Sequence, residues 1–126
     1  LEASLRRFAH YDYWDDSVRR AILFDAPADL LVYGMGEAAT IEIAHRLKKK
    51  QSVRTMTDIP GTGYITRDPS VCKFDHITLP SFEDVRDDKR LNATTHATAH
   101  CISTTPTAHL PPNSRRIVAI DATQGV

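Results

Sequence analysis

His10, Asp12, Asp15 and Asp16 fall inside the run HYDYWDD, with Tyr11, Tyr13 and Trp14 set between them. An imidazole and three carboxylates this close in sequence could ligate a metal ion or relay protons. The interleaved rings favour another use. Alternating aromatics and carboxylates pack rings against a neighbour and keep charges in water, which describes an interface segment. His10, Tyr11, Asp12, Tyr13 and Trp14 are therefore taken as a candidate interface, and no metal ligand is assigned.

The run Gly34-Met35-Gly36-Glu37 is the second place where chemistry is legible. It follows an apolar strand-like stretch and opens a helical one. Glycines at such a turn let the backbone approach a ligand, and a helix N-terminus favours an anion. Ligands of open α/β sheets bind at these strand ends. Gly34, Gly36 and Glu37 are thus the candidate cofactor-binding positions. Against this, the run lacks the third glycine of the dinucleotide fingerprint, and Glu37 would repel a phosphate. A plain strand-to-helix turn needs glycine as well.

A third cluster lies near the C-terminus, where His96 and His100 are spaced four apart beside Cys101, with His109 further on. Zinc is the ion such a set would take. No second Cys is close, no acidic base lies between the two histidines, and the surroundings do not read as helix. Cys72 has neither a neighbouring Cys nor a base, so it reads as a half-buried thiol. There is no phosphate-loop lysine motif, nucleophile elbow or CxxC pair. No catalytic residue is assigned.

The elements that must position these residues can be read from periodicity. Leu5, Phe8 and Ala9 lie at helical spacing and predict a short helix ending near His10. Asp15, Asp16 or Ser17 would cap a second helix carrying Val18, Ala21, Ile22 and Leu23, ended by Pro27. ADLLVY, residues 28–33, is a short continuous apolar run, as a buried parallel strand reads. Residues 37–49 form the best helix, with Glu37 in the first turn, lysines at the end, and Ile41, Ala44 and His45 sharing a face near Leu47. VRTMTDIPGTGYITRD predicts strand, turn at Pro60-Gly61, and strand. Ser81 and Asp84 approach a capping box for a helix that turns Phe82 and Val85 inward. From Leu91 the chain becomes rich in Thr, Ala, His and Pro, and only RIVAIDA reads as a strand. The expectation is an α/β region over residues 1–90 and a low-order tail over residues 91–126.

Bulk properties exclude several classes. The 126 residues suit one domain, with 41% hydrophobic and 25% charged residues. A formal net charge of zero speaks against nucleic acid as a partner. No apolar run is long enough to span a bilayer, so no membrane partner is expected. Two distant cysteines do not make a disulfide framework, and a reducing cytoplasm is the default.

The stretch LEASLRRFAHYDYWDDSVRRAILFDAPADLLVYGMGEAATIEIAHRL resembles the N-terminal region of the YgiQ family of radical SAM proteins. The resemblance is carried by Glu2 to Arg7, His10-Tyr11-Asp12-Tyr13-Trp14, Val18-Arg19-Arg20, Ala28-Asp29-Leu30-Leu31 and the Tyr33-Gly34 turn with Glu37. DIPGTGYI (Asp58 to Ile65) and LPSFEDVRDDKR (Leu79 to Arg90) follow in family order. The likeness implies a partial doubly wound sheet of the cobalamin-binding, Rossmann-like type. It also implies a following radical SAM barrel, normally in the same chain, as partner. The barrel's CxxxCxxC motif holds a [4Fe–4S] cluster, whose open iron chelates S-adenosylmethionine. The HYDYW segment and the glycine turn would belong to the module that caps the barrel.

Departures from the family pattern qualify the resemblance. The strands and glycine pair that precede this segment in the family are absent, and so is CxxxCxxC, so the chain is expected to be inactive alone. A cobalamin-ligand motif such as DxHxxG is also lacking. The composition change after Arg90 is what a shift of reading frame or a mis-assigned gene would produce. The first residue, Leu1, suggests a processed product, a fragment, or a translation begun within a gene.

Overall fold

In the computed structural model, described residues are 2–71, 79–88, 90, 91, 93 and 116–120. Helix α1 spans Glu2–Leu5. Strands β1 (His10–Asp12) and β2 (Ser17–Arg19) pair antiparallel as a hairpin, with His10 opposite Arg19 and Asp12 opposite Ser17. A 3-10 turn follows at Ile22–Phe24. Next come β3 (Leu31–Val32), α2 (Glu37–Lys48), a 3-10 turn at Val53–Thr55 and β4 (Thr62–Thr66). A 3-10 turn at Pro69–Val71, α3 (Phe82–Asp87) and β5 (Arg116–Ile120) complete the described elements.

The apolar run around β3 is the hinge of the packing. Leu31 and Tyr33 join a cluster built on Phe8, Ala21, Leu23 and Leu79. Val32, between them, packs with Ala39, Ile43, Met56 and Ile59. Alternate residues of a strand point to opposite faces, so a continuous apolar run can serve two clusters. Both faces of the run are packed as expected, but Leu31 and Val32 are half-buried and only Tyr33 is buried.

The expected parallel partner is not. β3 pairs antiparallel with β4, and β4 pairs antiparallel with β5, in the order β3-β4-β5. The cause lies in the return path. After α2 the chain reverses at Lys50, whose φ is 60°. Residues 51–61 then carry it back to the far end of β3, where the Tyr33 N–H donates to Gly61 O at 3.1 Å. A strand starting there, with Thr62 opposite Val32, can only run against β3. The described fold is mixed α/β with small antiparallel sheets.

Other local expectations divide in the same way. The helix expected to end near His10 stops at Leu5, because His10 is drawn into β1. The helix expected after Asp15–Ser17 is instead β2 and a 3-10 turn, anchored where the Ile22 N–H donates to Arg6 O at 2.7 Å. The strand expected before Pro60 is a 3-10 turn, while the turn at Pro60-Gly61 and the strand after it form as read. Ser81 and Asp84 make a full capping box: each backbone N–H is 3.1 Å from the other's side-chain oxygen. Val85 is fully buried and Phe82 partly so. The strand read in RIVAIDA is β5, at the edge of the three-stranded sheet. The remainder of the 91–126 stretch, with His96, His100, Cys101 and His109, lies almost wholly outside the described residues, as does Cys72.

Candidate functional site

The glycine turn forms where the sequence puts it, and its two glycines are required for different reasons. Gly34 has φ +68°, the left-handed region, with open space where a Cβ would stand. Its N–H donates to Ser4 Oγ at 3.0 Å. Gly36 has ordinary backbone angles as the N-cap of α2, but a Cβ there would meet Val32 Cγ1 at 2.6 Å. The first glycine makes the bend and the second lets helix and strand close on each other. Gly36 O accepts from the Thr40 N–H at 2.8 Å, starting the helical ladder.

No side chain caps α2, whose first turn carries the exposed carboxylate of Glu37. That charge complements the helix dipole and opposes a phosphate at the same place. Met35, between the glycines, is 91% exposed. Behind the turn the Arg7 guanidinium lies 4.9 Å from the Tyr33 ring centre and 5.7 Å from that of Phe8. The turn thus offers open backbone, one carboxylate and a cation held on rings.

The HYDYW residues occupy β1 and its loop. Tyr13 and Trp14 form the tip, with ring centres 4.7 Å apart and planes tilted by 32°. They are 67% and 82% exposed. The acidic residues are used to hold this tip. Arg19 Nε donates to Asp12 at 2.8 Å, and Arg19 also pairs with Asp15. Tyr11 Oη donates to Asp16 Oδ1 at 2.6 Å, and the Trp14 N–H donates to Asp12 Oδ1 at 3.1 Å. The hydrogen bond from Arg19 holds the Asp12 carboxyl below its usual range and raises the guanidinium's own pKa. Among the described residues no group of three or more His, Cys, Asp or Glu could hold a metal ion.

Segment 4–10 links the two places. Ser4 and Arg7 contact the glycine turn, and His10 opens the hairpin.

Several further ion pairs fasten the described residues, most of them at spacings that carry no signal in the sequence. Arg46 bridges Glu42 on its own helix and Asp58 beyond it, at 2.7 and 2.5 Å. Glu42 is lowered mainly by that hydrogen bond from Arg46. Asp25 is lowered by Arg20 first and also by Arg6. Asp29 and Arg54 pair at 3.0 Å on the rim of a cavity of about 220 Å³ that Met56, Thr57, Tyr64 and Ile65 help to line. Only the i,i+4 spacing of Glu42 and Arg46 carries a sequence signal.

With this geometry in place, comparison with known proteins gives the class. A family model described as radical SAM N-terminal matches residues 1–120, and the chain belongs to that family. Its relatives include UPF0313 proteins, the YgiQ-like group. One from Methanocella arvoryzae is 57% identical over 90 residues, covering 71% of this chain and 15% of the relative. Another from Clostridium botulinum is 52% identical over 90 residues, covering 71% and 14%. One from Clostridium perfringens is 53% identical over 93 residues, covering 74% and 14%. The chain therefore matches only about one-seventh of the length of these relatives. No solved structure matches it.

The family implies a [4Fe–4S] cluster and S-adenosylmethionine in the full protein. This chain's residues do not fit that cluster: it has two cysteines, at positions 72 and 101, and no CxxxCxxC. Three thiolates hold three irons of such a cluster and leave the fourth open; two cysteines fall short of that, so no step through the cluster is assigned to these residues.

Proposed function

We propose that this chain is the N-terminal module of a YgiQ-like radical SAM enzyme. The observation that carries this reading is the family match over residues 1–120, together with relatives for which the matched stretch is about 15% of the length. The partner is a radical SAM barrel of the same polypeptide, which binds the cluster and cleaves S-adenosylmethionine reductively. The module supplies no cluster ligand and is inactive alone. Its hairpin residues His10, Tyr11, Asp12, Tyr13 and Trp14 dock on the barrel. Gly34, Gly36 and Glu37 face the cofactor side. A larger doubly wound, cobalamin-binding-like sheet is completed by family strands that join at β3, which lies at an edge of the described sheet. The setting is cytoplasmic. Among the described residues no helix is long and apolar enough to cross a membrane.

The test is reconstitution. This chain, supplied anaerobically with iron, sulfide and S-adenosylmethionine, yields no cluster absorbance. A chimera with residues 1–90 in place of the matching stretch of the Methanocella relative yields both cluster absorbance and 5′-deoxyadenosine. A stable [4Fe–4S] signal from the chain alone overturns the reading.

The exposed Tyr13–Trp14 pair favours one second reading, a free-standing module that docks on a separate protein without catalysis. That reading requires a cooperative thermal melt for the isolated chain.

A further inference from the structure

Helix α2 is apolar on two sides. Its inner side, Ala39 and Ile43, is spent against Val32, Met56 and Ile59. Its outer side carries Ile41, Ala44 and Leu47, with Met35 at the head. Ile41 is 57% exposed and Leu47 is 47% exposed. Ile41, Ala44 and Leu47 stand three residues apart, so they form one exposed apolar stripe along a helix whose other residues are mostly polar.

Charge at the rim narrows what can sit there. Lys48, Lys49 and Lys50 stand exposed at the end of the helix. Arg46 is turned inward onto Glu42 and Asp58, so these two carboxylates face the inner side. Only Glu37 marks the other end. The face is an apolar strip with a basic end, and it fits an apolar segment that carries carboxylates.

Area decides between a second copy and a tethered segment. Met35, Ile41, Ala44 and Leu47 offer far less than the roughly 800 Å² per partner that a stable free complex buries. A segment of the same polypeptide is held at high effective concentration, so a small face is enough for it. The relatives have the length from which such a segment can come, since the matched stretch is about 15% of theirs.

We propose that the outer face of α2 is the seat of an apolar, carboxylate-bearing segment of the remaining family polypeptide. This rests on the reading of the chain as one module of a longer protein. The hairpin then is not the module's sole contact, and α2 is clamped between its own core and the rest of the molecule.

The experiment is hydroxyl-radical footprinting, read by mass spectrometry, on the 126-residue chain and on the Methanocella chimera. Met35, Ile41 and Leu47 should oxidise readily in the chain and severalfold more slowly in the chimera. Ile41→Asp should leave the melting midpoint of the chain unchanged and lower that of the chimera. Exchanging residues 35–50 alone into the relative gives the same readout while leaving the rest of that protein intact. Equal oxidation in chain and chimera overturns the proposal. So does protection in the chain alone, whether the chain stays monomeric or becomes a dimer by mass. Cluster formation separates the two readings: a chimera that builds the cluster with α2 still oxidised loses only the docking face. One that protects α2 but builds no cluster loses only the enzymatic reading.

Discussion

The β1–β2 hairpin and the β3–turn–α2 unit both contain residues singled out for chemistry, yet they are held by opposite means. The hairpin strands are three residues each, and their residues are half-buried or exposed. Its order comes from Arg19 on two carboxylates and from Tyr11 on Asp16. The strand–helix unit rests on Val32, Ala39, Ile43, Met56 and Ile59, with Met56 and Ile59 almost wholly removed from water. Exposed ion pairs contribute little to global stability, whereas buried side chains contribute about 1.5–3 kcal/mol each. The hairpin is thus a shaped display on the surface, and the glycine turn is fastened to the core.

That contrast is broken most directly at Ile59. Truncation by Ile59→Ala should cost about 3 kcal/mol, read as a lowered urea midpoint, because it opens a cavity under α2. A cost near zero would mean that the α2 cluster does not hold the unit. Gly36→Ala is the next test. Its new Cβ would press on Val32 Cγ1, a branched side chain with little freedom, at a cost of about 2 kcal/mol. Most of that increment should vanish in a Val32→Ala background. Gly34→Ala should cost about 1 kcal/mol from backbone strain alone, with no rescue by Val32→Ala, since nothing stands near its Cβ. Gly34→Asn should cost less than Gly34→Ala, because Asn tolerates the left-handed region. Equal behaviour of the two glycines toward Val32→Ala would remove the distinction between bend and close approach.

The same contrast explains what could be read from the sequence. Helix α2, the capping box at Ser81, the turn at Pro60-Gly61, β4 and the β5 strand all carry local signals, and each forms where it was read. Which face of α2 turns inward is not legible in the sequence. Ile41, Ala44 and Leu47 match helical spacing as well as Ala39 and Ile43 do, and periodicity cannot rank two apolar faces. In the fold Ala39 and Ile43 turn inward, and Ile41 and Leu47 turn to solvent. The hairpin was illegible because its strands are too short for alternation to register, and its cross-strand ion pairs span several residues. The direction of β3 was hidden for another reason. It depends on where residues 51–61 return the chain, a tertiary fact that no window around ADLLVY contains. At the candidate site, the glycines were legible as a turn, while Ser4 and Arg7 beneath it were not.

The smallest effect sharpens the comparison most, because it asks whether the hairpin can loosen alone. Asp12 is held below the usual carboxylate range first by its hydrogen bond from Arg19, with the Trp14 N–H adding to it. A carboxyl whose folded value is depressed adds stability that is complete well above its unfolded value of about 4. That contribution fades as pH falls below this value and is gone once pH passes the folded value. Acid should therefore loosen the tip before it unfolds the core. In Arg19→Gln, Asp12 should titrate closer to the ordinary carboxylate value by carboxyl NMR. The Trp14 amide should exchange faster with solvent, since its acceptor is no longer fixed. The urea midpoint should not move measurably, because both partners are exposed. A midpoint lowered as far as in Ile59→Ala would make the hairpin part of the core, and the rigid display of Tyr13 and Trp14 would then depend on burial and not on charge.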